Sequence, residues 1–454
     1  MDLFGTAGIR GPVTEVTPGL ALAVGQAVAA RLDPSDGPVV IGRDGRETGA
    51  ALAGAAEAGL TSGGLDVRRA GQLPTPALAF ASRGRHGLML TASHNPPEDN
   101  GIKLFADGTE YDRAAEREIE RLVDSGPDQA SHDQWGTSEE IEPLAAYRDS
   151  VTEYAQRVGA PLADLRIAVD CGTGMAGLAT PQVLTTLGAD VRALNANVDG
   201  QFPARESKPT AETLTDLSRF VADGPAAFGI GHDGDADRIV ILDGDGEVVH
   251  EDTILAIVAE HYVDRSEAGD PVVVTTPNAS GRIDERVAAA GGRVERVRLG
   301  ALHEGIARVR EAGTDETTVV FAAEPWKHIH PEFGEWIDAV VSAAVLSRLV
   351  AEEGLDSLRD PVAERPYRKV SVDCPDDRKA AVMERLHGRL PETFPEATVD
   401  TDYGVRLDLP DGEWTLVRPS GTEPYIRVYA ESDDVDALVE TVRGTVERAV
   451  TDAE

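Results

Sequence analysis

The sequence predicts an α/β protein: three similar α/β domains with mixed sheets, followed by a smaller C-terminal α+β domain. Three observations carry this reading. At about 150 residues per domain, 454 residues suit three or four domains. Before Tyr367, apolar runs of strand character alternate with segments of helical periodicity. From Tyr367 the order becomes strand, helix, strands, helix.

The elements follow in order. Thr17-Pro18 is a helix start with proline at the first helical position, and Leu20 to Leu32 continues in helical register. Pro38 to Asp44 reads as a buried strand, Gly49 to Leu60 as a helix and Leu65 to Arg69 as a strand. Gly87 to Ala92 reads as a strand that ends in polar residues. Such alternation argues a layered α/β domain. A linker rich in Ser, Asp and Gly (Asp124 to Ser138) precedes a helix near Leu144 to Val158. The second domain has the strand Leu165 to Asp170, a glycine loop, a helix to Leu187, Gly188 as its cap and the strand Asp190 to Leu194. The third has the strand Val272 to Thr276, the helix Ser280 to Ala290 and the strand Arg293 to Arg298. It closes with the strand Thr317 to Ala322 and an apolar helix Glu335 to Val350. Boundaries at 1–140, 141–250, 251–362 and 363–454 divide the chain accordingly.

Charge excludes several functions. The chain holds 80 acidic and 43 basic residues, a net charge of −37, and five of the basic residues are lysines. So acidic a surface repels phosphate backbones, so no nucleic-acid partner is expected. No apolar run approaches the roughly 20 residues that span a bilayer, so no membrane association is expected. Met1 to Gly5 has no basic or apolar leader, and two cysteines make no disulfide framework, so a cytoplasmic protein is expected. The acids are spread between periodic segments rather than gathered in a tail. This suits a halophilic protein in a high-salt cytoplasm, where screening suppresses self-repulsion.

Four segments carry chemistry. In Thr91-Ala92-Ser93-His94-Asn95-Pro96-Pro97, a serine at a strand end sits beside a rigid loop. Asn100-Gly101 then turns Lys103 back toward it. That suits a covalently modified serine with a nearby cation, and an ordinary polar turn is the alternative. Ser93 lacks the Gly-x-Ser-x-Gly elbow of hydrolases. In Asp233-Gly234-Asp235-Ala236-Asp237-Arg238, three alternating carboxylates can converge on one hard cation, with a solvated acidic turn as the alternative. An EF-hand fails, because its glycine and glutamate positions hold Arg238 and Gly244. Arg418-Pro419-Ser420-Gly421-Thr422-Glu423-Pro424, with Arg427, offers guanidinium forks and turn N–H groups to a phosphate, with a capped turn as the alternative. Finally, Gly172-Thr173-Gly174-Met175-Ala176-Gly177 matches a dinucleotide fingerprint and raises a nicotinamide-dependent oxidoreductase as a rival. The next strand ends at Leu194-Asn195 without a ribose-holding acid, which favours a tight strand-to-helix turn.

Taken in order, Phe4-Gly5-Thr6-Ala7-Gly8-Ile9-Arg10-Gly11, the Ser93 loop, the Asp233 loop, a Glu324 loop and the Arg418 loop resemble the α-D-phosphohexomutase superfamily over essentially the full chain. Within this phosphoglucomutase/phosphomannomutase family the chain looks most like archaeal phosphoglucosamine mutases and their phosphopentomutase relatives. The resemblance implies four domains around a central cleft: phosphoserine-bearing, metal-binding, sugar-binding and phosphate-binding, with closure by the last. It implies Ser93 as the phosphoserine. Ser93, Asp233, Asp235 and Asp237 would hold one Mg²⁺ per active site, and a sugar bisphosphate would serve as activator. Arg10, His94, Lys103 and His328 are the implied catalytic groups. Arg238, Arg298, Glu324, Trp326, Lys327, Arg418, Ser420, Gly421, Thr422 and Arg427 are the implied substrate binders. The partner would be a small phosphosugar, bound by a monomer or a homo-oligomer.

The implied reaction moves a phosphoryl group between the 6- and 1-positions of a hexose phosphate, glucosamine phosphate being favoured. Phosphomannomutase, phosphoglucomutase or phosphopentomutase activity are alternatives, and a phosphatase or non-catalytic sugar-phosphate binder is a further one. One loop departs from the pattern. Relatives read Gly-Glu-x-Ser-Gly-His where this chain has Ala323-Glu324-Pro325-Trp326-Lys327-His328. Trp326 either shrinks the sugar pocket toward a pentose or packs outward and changes nothing. Arg298 stands where relatives often carry lysine, and Gly200 to Arg205 matches a family segment of structural role.

Overall fold

The computed structural model describes residues 3–5, 8–420 and 423–453. Thr6, Ala7, Gly421 and Thr422, all within the motifs above, lie outside the described residues. The chain packs as two compact units. One is made by the chain up to Glu251 together with Trp326–Leu358, and the other by Asp252–Pro325 with the chain from Arg359 onward.

The first unit contains two mixed sheets. The first sheet runs in the order Ile9–Pro12, Asp99–Ala106, His86–Leu90, Val39–Arg43, Val67–Gln72, Ser138–Glu140, with Thr109–Glu110 pairing Asp99–Ala106. Its central strand Val39–Arg43 pairs in parallel on both sides, which is why its residues are almost continuously apolar and buried. Helices Pro18–Arg31 and Gly49–Ser62 cover it. Thr17 caps the former by accepting from Leu20 N at 3.2 Å. The two helices cross where Gly25 meets the Ala56 carbonyl; a Cβ at Gly25 would stand 2.3 Å from that oxygen. The second sheet has the order Ile239–Leu242, Phe228–His232, Arg166–Asp170, Asp190–Leu194. It is parallel except for the first pair. The glycine loop passes through a short 3₁₀ turn, Met175–Leu178, into the helix Thr180–Thr186, which ends just before Leu187 and Gly188.

The expected helix Glu335 to Val350 is corrected. Gly334–Ile337 is a strand, paired antiparallel with Lys327–His330, and the helix is Ala339–Glu353. Asp338 is the reason: its carboxylate accepts from Val340 N at 3.0 Å and Val341 N at 2.9 Å, so the helix starts after it. The same carboxylate accepts from Tyr147 Oη (2.8 Å) and Trp336 Nε1 (3.0 Å).

In the second unit, Asp270–Thr275 lies between the parallel strands Arg293–Arg296 and Thr317–Glu324, with helices Gly281–Ala289 and Leu302–Ala312 alongside. The C-terminal sheet is antiparallel in the order Tyr367–Asp373, Tyr425–Glu431, Trp414–Pro419, Val405–Asp408, Thr398–Asp400. Helices Lys379–Thr393 and Val435–Thr451 cover it. Their shared core is built from Val382, Leu386, Val405, Val428 and Val442. Two buried arginines fasten this last domain to the rest of its unit. Arg282 pairs with Glu431 at 2.9 Å, and Arg406 donates to the Pro277 and Ala279 carbonyls at 2.6 and 2.9 Å. Among the described residues no helix is long and apolar enough to cross a membrane, and both cysteines are free and buried.

Candidate active site

Ser93 follows the strand His86–Leu90 and is fully buried, with a left-handed backbone (φ 52°). That region is unfavourable for a side-chain-bearing residue, so the surroundings must hold it. They do so through the backbone. Thr91 Oγ1 accepts from Ser93 N at 2.9 Å, and the Ser93 carbonyl accepts from Arg46 Nη2 at 3.0 Å and Ser207 Oγ at 2.9 Å. The hydroxyl is thereby aimed at the second sheet, donating to Asp233 Oδ2 at 2.7 Å with Asp237 Oδ1 at 3.4 Å.

The three aspartates lie on the turn between Phe228–His232 and Ile239–Leu242, where a strand passes to its antiparallel neighbour. All three are buried, and one oxygen from each lies within 4.8 Å of the others. Ala236 takes a left-handed turn (φ 61°) that lets alternate side chains converge. Three buried carboxylates need compensation. Lys103 Nζ lies 2.8 Å from Asp237 Oδ2 and 3.4 Å from Asp235 Oδ2, and Thr75 Oγ1 donates to Asp235 at 2.6 Å. Burial works against the charge on Lys103, but Asp237, Asp235 and Glu110 outweigh it and lift its pKa. Burial and the neighbouring Asp237 and Asp235 push the Asp233 carboxyl up, whereas Lys103, Lys327 and Arg238 overcome burial and hold Asp237 low. Asp235 Oδ1 is buried with no hydrogen-bond partner among the described residues. This oxygen-only donor set, with the Ser93 hydroxyl beside it, fits a hard divalent cation.

Cations ring the cluster. Arg238 Nε stands 3.7 Å from Asp233 and 3.8 Å from Asp237, and Lys327 Nζ 3.9 Å from Asp237. Arg10 keeps Nε and Nη2, and His94 its Nδ1, buried without partners among the described residues. Burial, then Arg238 and Arg10, depress His94 to about 3, so it is neutral at pH 7. His328 is depressed to about 3 by burial, and its Nδ1 lies 3.0 Å from Ser342 Oγ. Trp326 packs against the second domain's Ala168, Leu214 and Leu217 cluster, with the Lys208 ammonium 6.0 Å from its ring.

The other predicted binders lie in the second unit. The Glu324 carboxylate accepts from Gly300 N, and Arg298 pairs with Glu304 at 2.6 Å on the surface. Arg418 Nη2 donates to Tyr429 Oη at 2.8 Å, and Arg427 to Glu423 and Tyr425 at 3.0 Å each. Nε of both arginines is buried and has no hydrogen-bond partner among the described residues. Ser420 Oγ accepts from Glu423 N at 3.2 Å, and Lys379 donates to the Ser420 carbonyl at 2.7 Å.

Several supporting residues escaped the sequence reading. Fully buried Arg46 donates to the carbonyls of Ser93, Asn95, Pro96 and Asp99, while Asp44 holds its Nε at 3.0 Å. Charged residues just past a fully apolar strand were the available signal. The glycine turn near Cys171 proves to be filled by protein. Arg205 covers Gly172 while bonding Asp170 at 3.0 Å and the His232 carbonyl at 2.6 Å. A Cβ at Gly174 would stand 2.6 Å from the Gly234 carbonyl, so this turn braces the aspartate loop rather than a dinucleotide.

Four sequence profiles of one family match in succession: phosphoglucomutase/phosphomannomutase alpha/beta/alpha domain I over residues 1–130, domain II over 145–246, domain III over 250–368 and the C-terminal domain over 370–448. A phosphopentomutase of Thermococcus kodakarensis is 41% identical over the whole of both chains. A probable phosphoglucosamine mutase of Methanopyrus kandleri is 40% identical over 98% of each. The crystal structure of a phosphoglucomutase/phosphomannomutase family protein from Burkholderia thailandensis aligns with a TM-score of 0.85 at 25% identity, covering 99% of this chain and 97% of that one. The N-acetylphosphoglucosamine mutase of Aspergillus fumigatus, solved with GlcNAc-6P and magnesium, aligns at 0.63 and 16% identity, over 100% and 96% of the chains; at that identity it shares the fold.

Proposed function

The chain belongs to the phosphoglucomutase/phosphomannomutase family of isomerases, which shift a phosphoryl group between positions of a sugar, and we propose that it does so through a phosphorylated Ser93. The observation that carries this reading is the Ser93 hydroxyl held 2.7 Å from Asp233 inside a buried aspartate cluster that Lys103 partly neutralises. In the proposed cycle a sugar hydroxyl attacks the phosphoserine phosphorus. The bond from phosphorus to Ser93 Oγ breaks as the bond to the sugar oxygen forms, and the hydroxyl's proton leaves to a nearby base. The resulting bisphosphate turns over and returns its other phosphoryl group to Ser93.

Phosphoryl transfer asks chiefly for positioning and charge neutralisation. Lys103, Arg238 and Arg10 supply fixed positive charge, and Arg46 and Thr91 fix the serine backbone. His94 and His328 are proposed as proton carriers; burial leaves both neutral at pH 7 and, with pKa values of about 3, weak bases. Asp233, Asp235 and Asp237 would hold magnesium, the ion named with the Aspergillus enzyme. When bound, it supplies Lewis-acid stabilisation of phosphoryl oxygens. Arg298, Glu324, Arg418, Ser420 and Arg427, with Gly421 and Thr422, are proposed to hold the sugar and its second phosphate. As substrate we favour glucosamine 6-phosphate and 1-phosphate; the Thermococcus relative supports a pentose phosphate as second reading.

Two measurements test this. The intact mass should exceed the sequence mass by about 80 Da, lost in Ser93→Ala together with turnover. Assays with glucosamine, glucose, mannose and pentose monophosphates, plus catalytic sugar bisphosphate, should find one interconverted. Absence of both added mass and turnover refutes the phosphoserine reading.

A further inference from the structure

The loop that departs from the family pattern carries the new inference. Lys327 follows Glu324 by three residues, yet it belongs to the compact unit that holds Ser93 and the aspartates, whereas Glu324 belongs to the other. Its placement starts at Trp326, whose backbone is left-handed (φ 69°), a strained state for an aromatic residue. Two contacts hold that strain. The Trp326 carbonyl accepts from Ile239 N at 3.0 Å, just past the aspartate loop, and its ring packs on the second domain's core. The turn delivers Lys327 onto a new strand with its side chain largely buried, 11% exposed, and its ammonium 3.9 Å from Asp237 Oδ2, the oxygen that Lys103 also approaches. Lys327 also acts electrostatically on His94, the neighbour of Ser93.

We propose that Lys327 is a cation of the phosphoryl-transfer centre rather than a reader of sugar hydroxyls. The inference rests on the phosphoserine reading and extends it. Three carboxylates and a phosphoserine would bring about five negative charges to a buried site. Among the described residues, Lys103, Arg238 and Lys327 are the cations within 4 Å of these carboxylate oxygens. A third fixed cation offsets charge where a small residue would leave none. Its side-chain nitrogen attracts the phosphoryl oxygens as the bond to Ser93 Oγ breaks and the bond to the sugar oxygen forms. The same charge opposes a divalent cation on Asp237, so this chain holds magnesium more loosely than it would without Lys327.

The test compares wild type with Lys327→Met and Lys327→Arg, all metal-stripped and matched in phosphorylation by intact mass. Magnesium alone is titrated calorimetrically, and turnover is measured separately. Lys327→Met should bind magnesium at least about fivefold more tightly and lose about tenfold or more in kcat with KM for the sugar phosphate little changed. Lys327→Arg should return both toward wild type. A raised KM with kcat and magnesium affinity intact would instead make Lys327 a sugar reader, and no change in any quantity would make it structural; either overturns the proposal. Should Lys327→Met fail to fold, Lys327→Gln carries the same comparison. If the wild type shows neither phosphoserine nor turnover, the mutase reading fails, while the magnesium titration still reports on the placement of Lys327.

Discussion

Arg46 shows how one side chain can set the backbone geometry of the proposed phosphoserine, Ser93, without touching its hydroxyl. Its two terminal nitrogens each serve two carbonyls of the loop from Ser93 to Asp99, and its Nε is held by Asp44. The guanidinium also lies 5.1 Å from the Phe202 ring centre. A planar fork with five donors suits this task, and a lysine ammonium does not. Arg46→Ala would leave Asp44 buried without its counter-charge and take one donor from each of four carbonyls, of which Ser93 keeps Ser207 Oγ and Pro96 keeps Asp99 N. The expected loss is about 3–5 kcal/mol, read from the urea midpoint. Arg46→Lys should keep more stability but still lower the fraction of protein that carries the added phosphate mass. A Lys variant phosphorylated to the wild-type level would show that Ser93 holds its conformation without the fork.

Among the elements, the helix Ala339–Glu353 depends on a single residue at its start. Asp338 accepts two helix N–H groups and also satisfies the buried Tyr147 hydroxyl and Trp336 indole. Burial pushes its carboxyl up to about 6, with these donors pulling the other way. Removing a cap costs about 1 kcal/mol, and each stranded donor about 1–3 kcal/mol more. Asp338→Ala should therefore lower stability by about 4 kcal/mol in urea titrations, and Asp338→Asn by much less. This helix also marks where sequence reading reached its limit. The helix Pro18–Arg31 was legible because Thr17 and Pro18 are local signals. Glu335, Trp336 and Ile337 look helical by composition, yet cross-strand pairing with Ile329 and His330 made them extended. Ser93 and the aspartates were legible because strand ends with unusual side chains stand out. Arg46 was not, because its partners are carbonyls, which every residue has. Nor was the placement of Trp326 and Lys327, since it turns on a left-handed backbone that side-chain identity does not announce.

For the chain as an entity, charge dominates. A net charge of −37 on 454 residues stores self-repulsion that salt removes, because screening length falls from about 10 Å at 0.1 M to about 3 Å at 1 M. We expect the thermal midpoint to rise by about 10 °C or more between 0.1 M and 2 M KCl. Equal midpoints would mean that the acids are balanced locally, as the pairs Arg293–Asp270 and Arg443–Glu447 are, and would remove the case for a high-salt habitat. The fastening of the last domain by Arg282–Glu431 and Arg406 is buried and should persist in both conditions.

The division of the chain has a consequence for its birth on the ribosome. The first unit is interrupted: it leaves at Glu251 and resumes only at Trp326. A nascent chain that has just emerged past Asp237 already holds Ser93, Lys103 and all three aspartates, but not Lys327, Asp338 or the buried helix behind them. For the time needed to make some hundred more residues, at about 5–20 per second, the acidic cluster must wait for a counter-charge and a capped helix encoded far downstream. Assembly of the proposed centre is therefore expected to be a late event, one that a product truncated before Trp326 would not complete.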